Sequence, residues 1–206
     1  MNTLTKTRKL RRTNTTSSTK QMVMLALLSA LAYSLMLVHL PFKYLGFLEL
    51  EFSDVPAVIA SLAYGPGAGV MVELIKNLIK AITATTTGGV GELANFLTSA
   101  CFVAPLGFIF HKFSKKAKII LSFLVANISF LLAGILVNYF ITVPLYATLF
   151  GGMEAVVGVA SATVPAVKDL ATVVLLGITP FNVVKGILVS ITGYIVFKAV
   201  RNVLQN

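Results

Sequence analysis

The chain has 206 residues, 57% of them hydrophobic and only 12% charged, with a mean hydropathy of +0.90. A water-soluble domain carries about 25% charged residues, so this chain lacks the charge to cover a water-facing surface, and a soluble enzyme or soluble binding module is excluded. The net charge of +10 does not point to nucleic acid, because Lys6, Arg8, Lys9, Arg11, Arg12 and Lys20 precede the first apolar run, Lys112, Lys115, Lys116 and Lys118 fill one loop, and Lys198 and Arg201 close the chain. Basic clusters flanking apolar spans report membrane orientation, basic side inward.

In chain order, residues 1–19, rich in Thr, Ser, Lys and Arg, predict a disordered basic cytoplasmic tail, with a transmembrane domain over residues 20–206. The apolar stretch from Met22 to Leu40 is too long for a signal-peptide core and no small-residue cleavage site follows it, so it reads as a retained helix from Lys20 to Leu40, stopped by Pro41. Pro41 to Asp54 reads as an interfacial loop. Val55–Tyr64 is apolar but, at 1.5 Å per residue, covers about half a bilayer. Gly65-Pro66-Gly67 breaks it from a helix over Ala68–Ile82. A Thr/Gly-rich loop, Thr83–Gly91, leads to a helix over Glu92–Phe110. The basic loop His111–Lys118 follows, then a long helix from Ile119 to Val143 that ends before Pro144. Residues 144–178 read as irregular and external, dipping back toward the bundle, and the last helix begins at Thr179-Pro180 and runs to Val200. With both termini and the basic loop on the cytoplasmic side, an even number of crossings separates each pair. The expected fold is therefore all-α, a bundle of six transmembrane helices with a short second helix.

Polar side chains inside membrane helices are costly and mark function by default. Thr179-Pro180-Phe181-Asn182-Val183-Val184-Lys185 is the sharpest case. Thr179 fits an N-cap and Pro180 the first helical position, and Asn182 and Lys185, three apart, share a face. The free N–H groups of that helix start add donors, giving a donor-rich site for a ligand bearing carbonyls or ring-nitrogen acceptors. Snorkelling of Lys185 to the interface is the plainer alternative, made awkward by its place more than a turn inside. Asn138 either meets an imide edge or bonds to a neighbouring helix. Glu73, Lys76, Asn77 and Lys80 form a stripe that reads as an internally paired network, with Lys80 reaching water. Glu92 and Asn95 either cap the next helix or line a cavity, with capping preferred for Glu92. Phe42, Tyr44 and Phe47 form an aromatic belt or lid a planar ligand. Ala26 and Ala30 place a small-residue face on the first helix, for packing in the bundle or for a partner protein. Cys101, the one cysteine, excludes an internal disulfide and reads as a buried, inert thiol.

Several absences narrow the function. No GxxxxGK[ST] is present, so the chain supplies no Walker-type ATP site. His39 and His111 lack a metal-ligand setting, and no catalytic triad or carboxylate pair appears. A transport protein so built draws on a gradient or on a separate ATPase.

The runs Glu49-Leu50-Glu51-Phe52-Ser53-Asp54-Val55-Pro56-Ala57, Glu73-Leu74-Ile75-Lys76-Asn77-Leu78, Gly89-Val90-Gly91-Glu92-Leu93-Ala94-Asn95-Phe96, Asn138-Tyr139-Phe140 and Pro180-Phe181-Asn182-Val183-Val184-Lys185-Gly186, in this order, resemble the riboflavin-specific substrate-binding subunit (S component) of energy-coupling factor transporters. The resemblance implies a six-helix protein that is not an enzyme, binds riboflavin as cargo rather than as a cofactor, holds no metal, and docks in the cell membrane on a transmembrane coupling subunit with two cytoplasmic ATPases. It also implies flavin contacts at Asn182, Lys185 and Asn138, with Asn95, Glu49 and Tyr146 completing the candidate site, and a coupling face at Ala26 and Ala30. An S component for thiamine, biotin or a pterin, a stand-alone ion-coupled carrier, and a small lipid-modifying membrane enzyme are the competing readings. The last lacks the paired acidic or metal-binding residues it needs.

Overall fold

The computed structural model describes residues 15–38, 44–113 and 118–205, and across them the chain is helical, with a lone bridge between Tyr44 and Leu48. The elements are α1 (Thr15–Met36), α2 (Val55–Tyr64), α3 (Pro66–Thr83), α4 (Val90–Lys112), α5 (Lys118–Val137), α6 (Val143–Leu149), α7 (Met153–Thr163), α8 (Leu170–Thr172) and α9 (Thr179–Gln205). Among the described residues, four stretches are long and apolar enough to cross a membrane: Thr19–Met36, Val90–Lys112, Lys118–Leu149 and Leu170–Asn202. Their outer faces carry large exposed apolar side chains, Leu27, Phe108, Ile120, Leu132, Phe140 and Ile195 among them, as a lipid-facing surface requires. The protein is a multi-pass membrane protein.

Short α2 is the core of the bundle. Its residues Val55 to Leu62 are all buried, and it packs against α1, α3, α4 and α9. A helix apolar on nearly every side has no solvent face to offer, so this ten-residue helix, too short to span a bilayer, is sheathed by longer neighbours instead. Gly65, at φ 99°, supplies a backbone turn that an L-residue resists, and Pro66 starts α3 where a missing N–H costs nothing. One apolar cluster surrounds α2, through Leu28, Val58, Phe102, Phe130 and Val189. A second joins Leu45, Val90, Tyr146, Val156, Val173 and Ile178.

Several expectations are corrected. Helix α1 starts at Thr15 and ends at Met36, so residues 15–19 are helical. The remaining tail residues 1–14, with His39, Phe42 and the middle of the basic loop (114–117), lie outside the described residues. The helix from Lys118 does not end before Pro144. It widens into a π-turn at Asn138–Thr142 and continues as α6. Residues 144–178 are likewise mostly helical, through α6, α7, α8 and a second π-turn at Val173–Ile178. Each π-turn stands directly before a proline pair, Val143-Pro144 and Thr179-Pro180. There the ladder shifts by one residue, with the N–H of Val143 donating to Asn138 and that of Thr179 to Val174, and the proline is carried inside a continuous helix that it would otherwise break.

The second π-turn also removes the supposed helix start at Thr179. Its hydroxyl donates back to the Val174 carbonyl at 2.8 Å. The true N-cap is Asp169, whose carboxylate accepts from the Thr172 backbone N–H while its own backbone N–H donates to the Thr172 hydroxyl oxygen, a capping box. Those bonds hold the exposed Asp169 carboxyl below its ordinary pKa.

Candidate functional site

Three carboxylates and two ammonium groups meet where α2, α3, α4 and α9 converge. Lys76 is fully buried; its ammonium pairs with Asp54 Oδ1, with Glu73 Oε2 at 2.9 Å, and with Ser53 Oγ at 2.9 Å. Lys185 pairs with the other Asp54 oxygen at 3.0 Å and approaches Glu51 at 3.9 Å and Asn95 Oδ1 at 3.5 Å. Asp54 therefore bridges two ammonium groups across α3 and α9. Asn95 donates to Glu51 at 2.9 Å, Ser53 donates to Glu51 at 3.0 Å, and Ser99 lies within 3.2 Å of Asp54 and 3.0 Å of Asn95 Oδ1. Burial on this scale is tolerated only where partners and further hydrogen bonds offset desolvation. Here nearly every oxygen finds a donor; Glu73 Oε1 and Asn77 Oδ1 are the buried exceptions among the described residues.

This network floors a cavity of about 310 Å³, within the range of small-molecule sites. All six sequence-predicted residues line it: Glu49 from the loop before α2, Asn95 from α4, Asn138 from the first π-turn, Tyr146 from α6, and Asn182 and Lys185 from α9. Phe47, Phe130, Phe150, Phe181, Met36 and Ile178 provide apolar walls. Tyr44 stacks on Phe181 with centroids 5.8 Å apart and planes 8° from parallel, and Phe47 leans on Tyr146 at 5.4 Å. Asn138 donates to the Gly134 carbonyl at 2.7 Å, which fixes its amide and leaves its oxygen as an acceptor. Gly134 also makes room for Asn182, whose Nδ2 would lie 2.7 Å from a Cβ at that position. Asn182 and Lys185 share one helical face, as their spacing predicts, but no helix N-terminus reinforces them, because the helix runs through from α8.

Other assignments change. Glu92 does not cap α4; Gly89 stands there without a side-chain cap, and Glu92 is buried in the cavity wall, accepting from Thr85 at 2.9 Å and Thr87 at 3.2 Å. Lys80 does not reach water but is buried against the cavity. Cys101 is exposed on the outer face of α4, not buried. Ala26 and Ala30 are exposed on α1 while Ser29 between them is buried, so these alanines are not bundle packing. Among the described residues no cluster of His, Cys, Asp or Glu could hold a metal ion.

Glu51, Ser53, Asp54 and Ser99 belong to this buried network, positions that polarity counting left in a loop or passed over. The signal was the scarcity of acid. Of seven acidic residues, Glu49, Glu51, Asp54, Glu73 and Glu92 all belong to this cavity or its floor.

The sequence and the fold have known counterparts. The family description "ECF transporter, substrate-specific component" matches residues 20–197. Riboflavin transporter FmnP of Bacillus subtilis (strain 168) is 35% identical over 183 residues, 86% of this chain and 90% of that protein. Riboflavin transporter RibU of Staphylococcus aureus (strain TCH60) is 31% identical over 187 residues, 90% of this chain and 93% of that one. The solved structure of the S component of a bacterial ECF transporter superposes with a TM-score of 0.71 at 29% identity, covering 92% of this chain and 99% of its own. A family match over most of the chain, two relatives above 30% identity and a shared fold agree: this chain belongs to the substrate-specific components of ECF transporters.

Proposed function

We propose that the chain is the riboflavin-binding subunit of an ECF-type vitamin transporter, taking riboflavin from the outer side of the cell membrane and delivering it inward. The observation that carries this reading is the cavity, where amide and ammonium groups from three helical segments converge between aromatic walls. An isoalloxazine ring has carbonyl and ring-nitrogen acceptors beside one imide N–H. The Lys185 ammonium and the Asn182 amide supply donors, and the Asn138 oxygen, left free by its bond to Gly134, accepts from an N–H. The dimethylbenzene edge needs apolar walls, which Phe130, Ile178 and Phe181 provide. The two riboflavin transporters among the relatives support the same cargo.

In this reading residues 20–206 form one domain crossing the membrane six times, with α2 and α3 as the second and third passes and both termini cytoplasmic. The charge pattern supports that orientation. Ala26 and Ala30, exposed on α1, form the close-approach face for a transmembrane coupling subunit, which itself works with two cytoplasmic ATPases. The chain contributes binding and no chemistry of its own.

The test is a titration of the purified protein with riboflavin. Saturable quenching of flavin fluorescence is expected. Unquenched fluorescence, with quenching or calorimetric binding by thiamine, biotin or a pterin instead, would reassign the cargo.

A further inference from the structure

Glu73 is the carboxylate of the floor whose bonding is incomplete. Its Oε2 receives the Lys76 ammonium at 2.9 Å and the Asn77 amide at 3.4 Å. Its Oε1 has no donor among the described residues, and neither has the amide oxygen of Asn77, one turn further along α3. Both side chains are buried, Glu73 at 0% and Asn77 at 4% exposure, and neither lines the cavity. Turning the Asn77 amide over does not help. Its nitrogen donates to the Glu73 backbone carbonyl at 2.8 Å, and the turned amide would set oxygen against oxygen there. Two adjacent buried acceptors therefore lack one hydrogen between them, and each unmade bond is costly.

The charges of the floor are short by the same amount. Glu51, Asp54 and Glu73 are three acids set against two ammonium groups, Lys76 and Lys185, and Asp54 already bridges both. The elements packed on α3 bring no further cation to this network. Asp54 comes from the start of α2, Asn95 and Ser99 from α4, and the buried face of α1 brings Ser29 alone as a polar group. Glu92, also on α4, is occupied by Thr85 and Thr87 on the cavity wall. Lys80, on the next turn of α3, lines the cavity and gives neither orphan acceptor a bond. A buried carboxylate in excess of its counter-charges is neutralised more cheaply by a proton than by remaining ionised. A protonated carboxyl has one O–H to donate.

We infer that Glu73 is a proton-binding site, a neutral acid whose Oε1–H donates to Asn77 Oδ1, and that this proton is a fixed part of the fold rather than one moved in transport. A single hydrogen then completes both orphan acceptors and leaves Glu51 and Asp54 balanced against Lys76 and Lys185. Because Glu73 is sealed from the cavity, cargo can enter and leave without reaching the proton. The protonation half of the inference stands without the cargo assignment; the transport half rests on it.

The experiment is infrared spectroscopy of the purified protein at neutral pH, with the wild type, Glu73→Gln and Asn77→Leu. The wild type is expected to show the carbonyl stretch of a neutral carboxylic acid. Glu73→Gln, whose amide replaces the acid with a permanent donor, loses that band. Asn77→Leu keeps the band but moves it to higher frequency, as the loss of the acceptor requires, so the assignment is readable even if the glutamine variant folds poorly. No neutral-acid band in the wild type, or a band untouched by both substitutions, would overturn the proton site. Glu73→Gln should also bind riboflavin within about 3-fold of wild type, since it strands no buried group, and support normal uptake in cells that carry the coupling subunit. Normal binding with abolished uptake would show that the proton moves and overturn its fixed role. Failure of the wild type to bind riboflavin would remove the cargo assignment and leave the infrared result to decide the proton site.

Discussion

The floor of the cavity and its wall near Lys80 are built from the same residue types and do opposite things. On the floor, each ammonium has a carboxylate and each carboxylate several donors, so the charges are spent on one another and hold α2, α3, α4 and α9 in register. On the wall, Lys80 is equally buried and has no such partner among the described residues. The difference teaches that burial of charge is not itself a mark of ligand binding. A buried charge closed off from the cavity with its partners complete, as Lys76 is, is architecture; Lys185, paired with Asp54 but lining the cavity, keeps a donor for ligand, and a charge left incomplete beside the cavity is an open invitation to it.

Substitutions break this contrast in order of size. Asp54→Ala removes the anion shared by Lys76 and Lys185 and leaves two buried ammonium groups short of a counter-charge. It is expected to cost about 3–5 kcal/mol of stability, seen as a large fall in the thermal midpoint of the detergent-solubilised protein. A stability matching wild type would show that the floor is not structural. Lys185→Met spares the Asp54–Lys76 pair but empties the ring contact; riboflavin affinity should drop by about 1–3 kcal/mol with a smaller stability loss. Gly134→Ala sharpens the picture further, because its Cβ would stand 2.7 Å from Asn182 Nδ2. Displacing that amide is expected to weaken riboflavin binding by about 1 kcal/mol, the low end of overpacking costs, and to move Asn138 little. Smallest of all, Ala30→Leu on the exposed face of α1 should leave stability within about 0.5 kcal/mol and riboflavin binding unchanged, while lowering uptake in cells that carry the coupling subunit. Normal uptake would remove Ala30 from the partner face.

Much of this was legible in the residues, and the exceptions have physical causes. The limits of α2 follow from Asp54, an unbroken apolar run and Gly65-Pro66-Gly67. Asn95, Asn138, Asn182 and Lys185 were legible because amides and ammonium groups have no cheap reason to be in a membrane helix, whereas Glu49, in a loop, and Tyr146 came from the family resemblance. The π-turns were not. A single-residue shift in the ladder leaves hydrophobic periodicity nearly untouched, and Thr179-Pro180 is the same dipeptide that starts helices elsewhere. Pro144 misled in the same way, read as a stop where a π-turn lets the chain pass. Lys80 was misplaced, and capping was preferred over cavity lining for Glu92, because periodicity reports which face a side chain occupies, not whether that face looks onto water, lipid or an internal cavity. Cys101 shows the converse, an apolar setting in sequence that turns out to be the lipid side.

The most direct test is the structure of the protein loaded with riboflavin. The account predicts the flavin ring between the aromatic walls, with its polar edge within hydrogen-bonding distance of Asn138, Asn182 and Lys185. Flavin density elsewhere on the molecule, with this cavity empty, would contradict it.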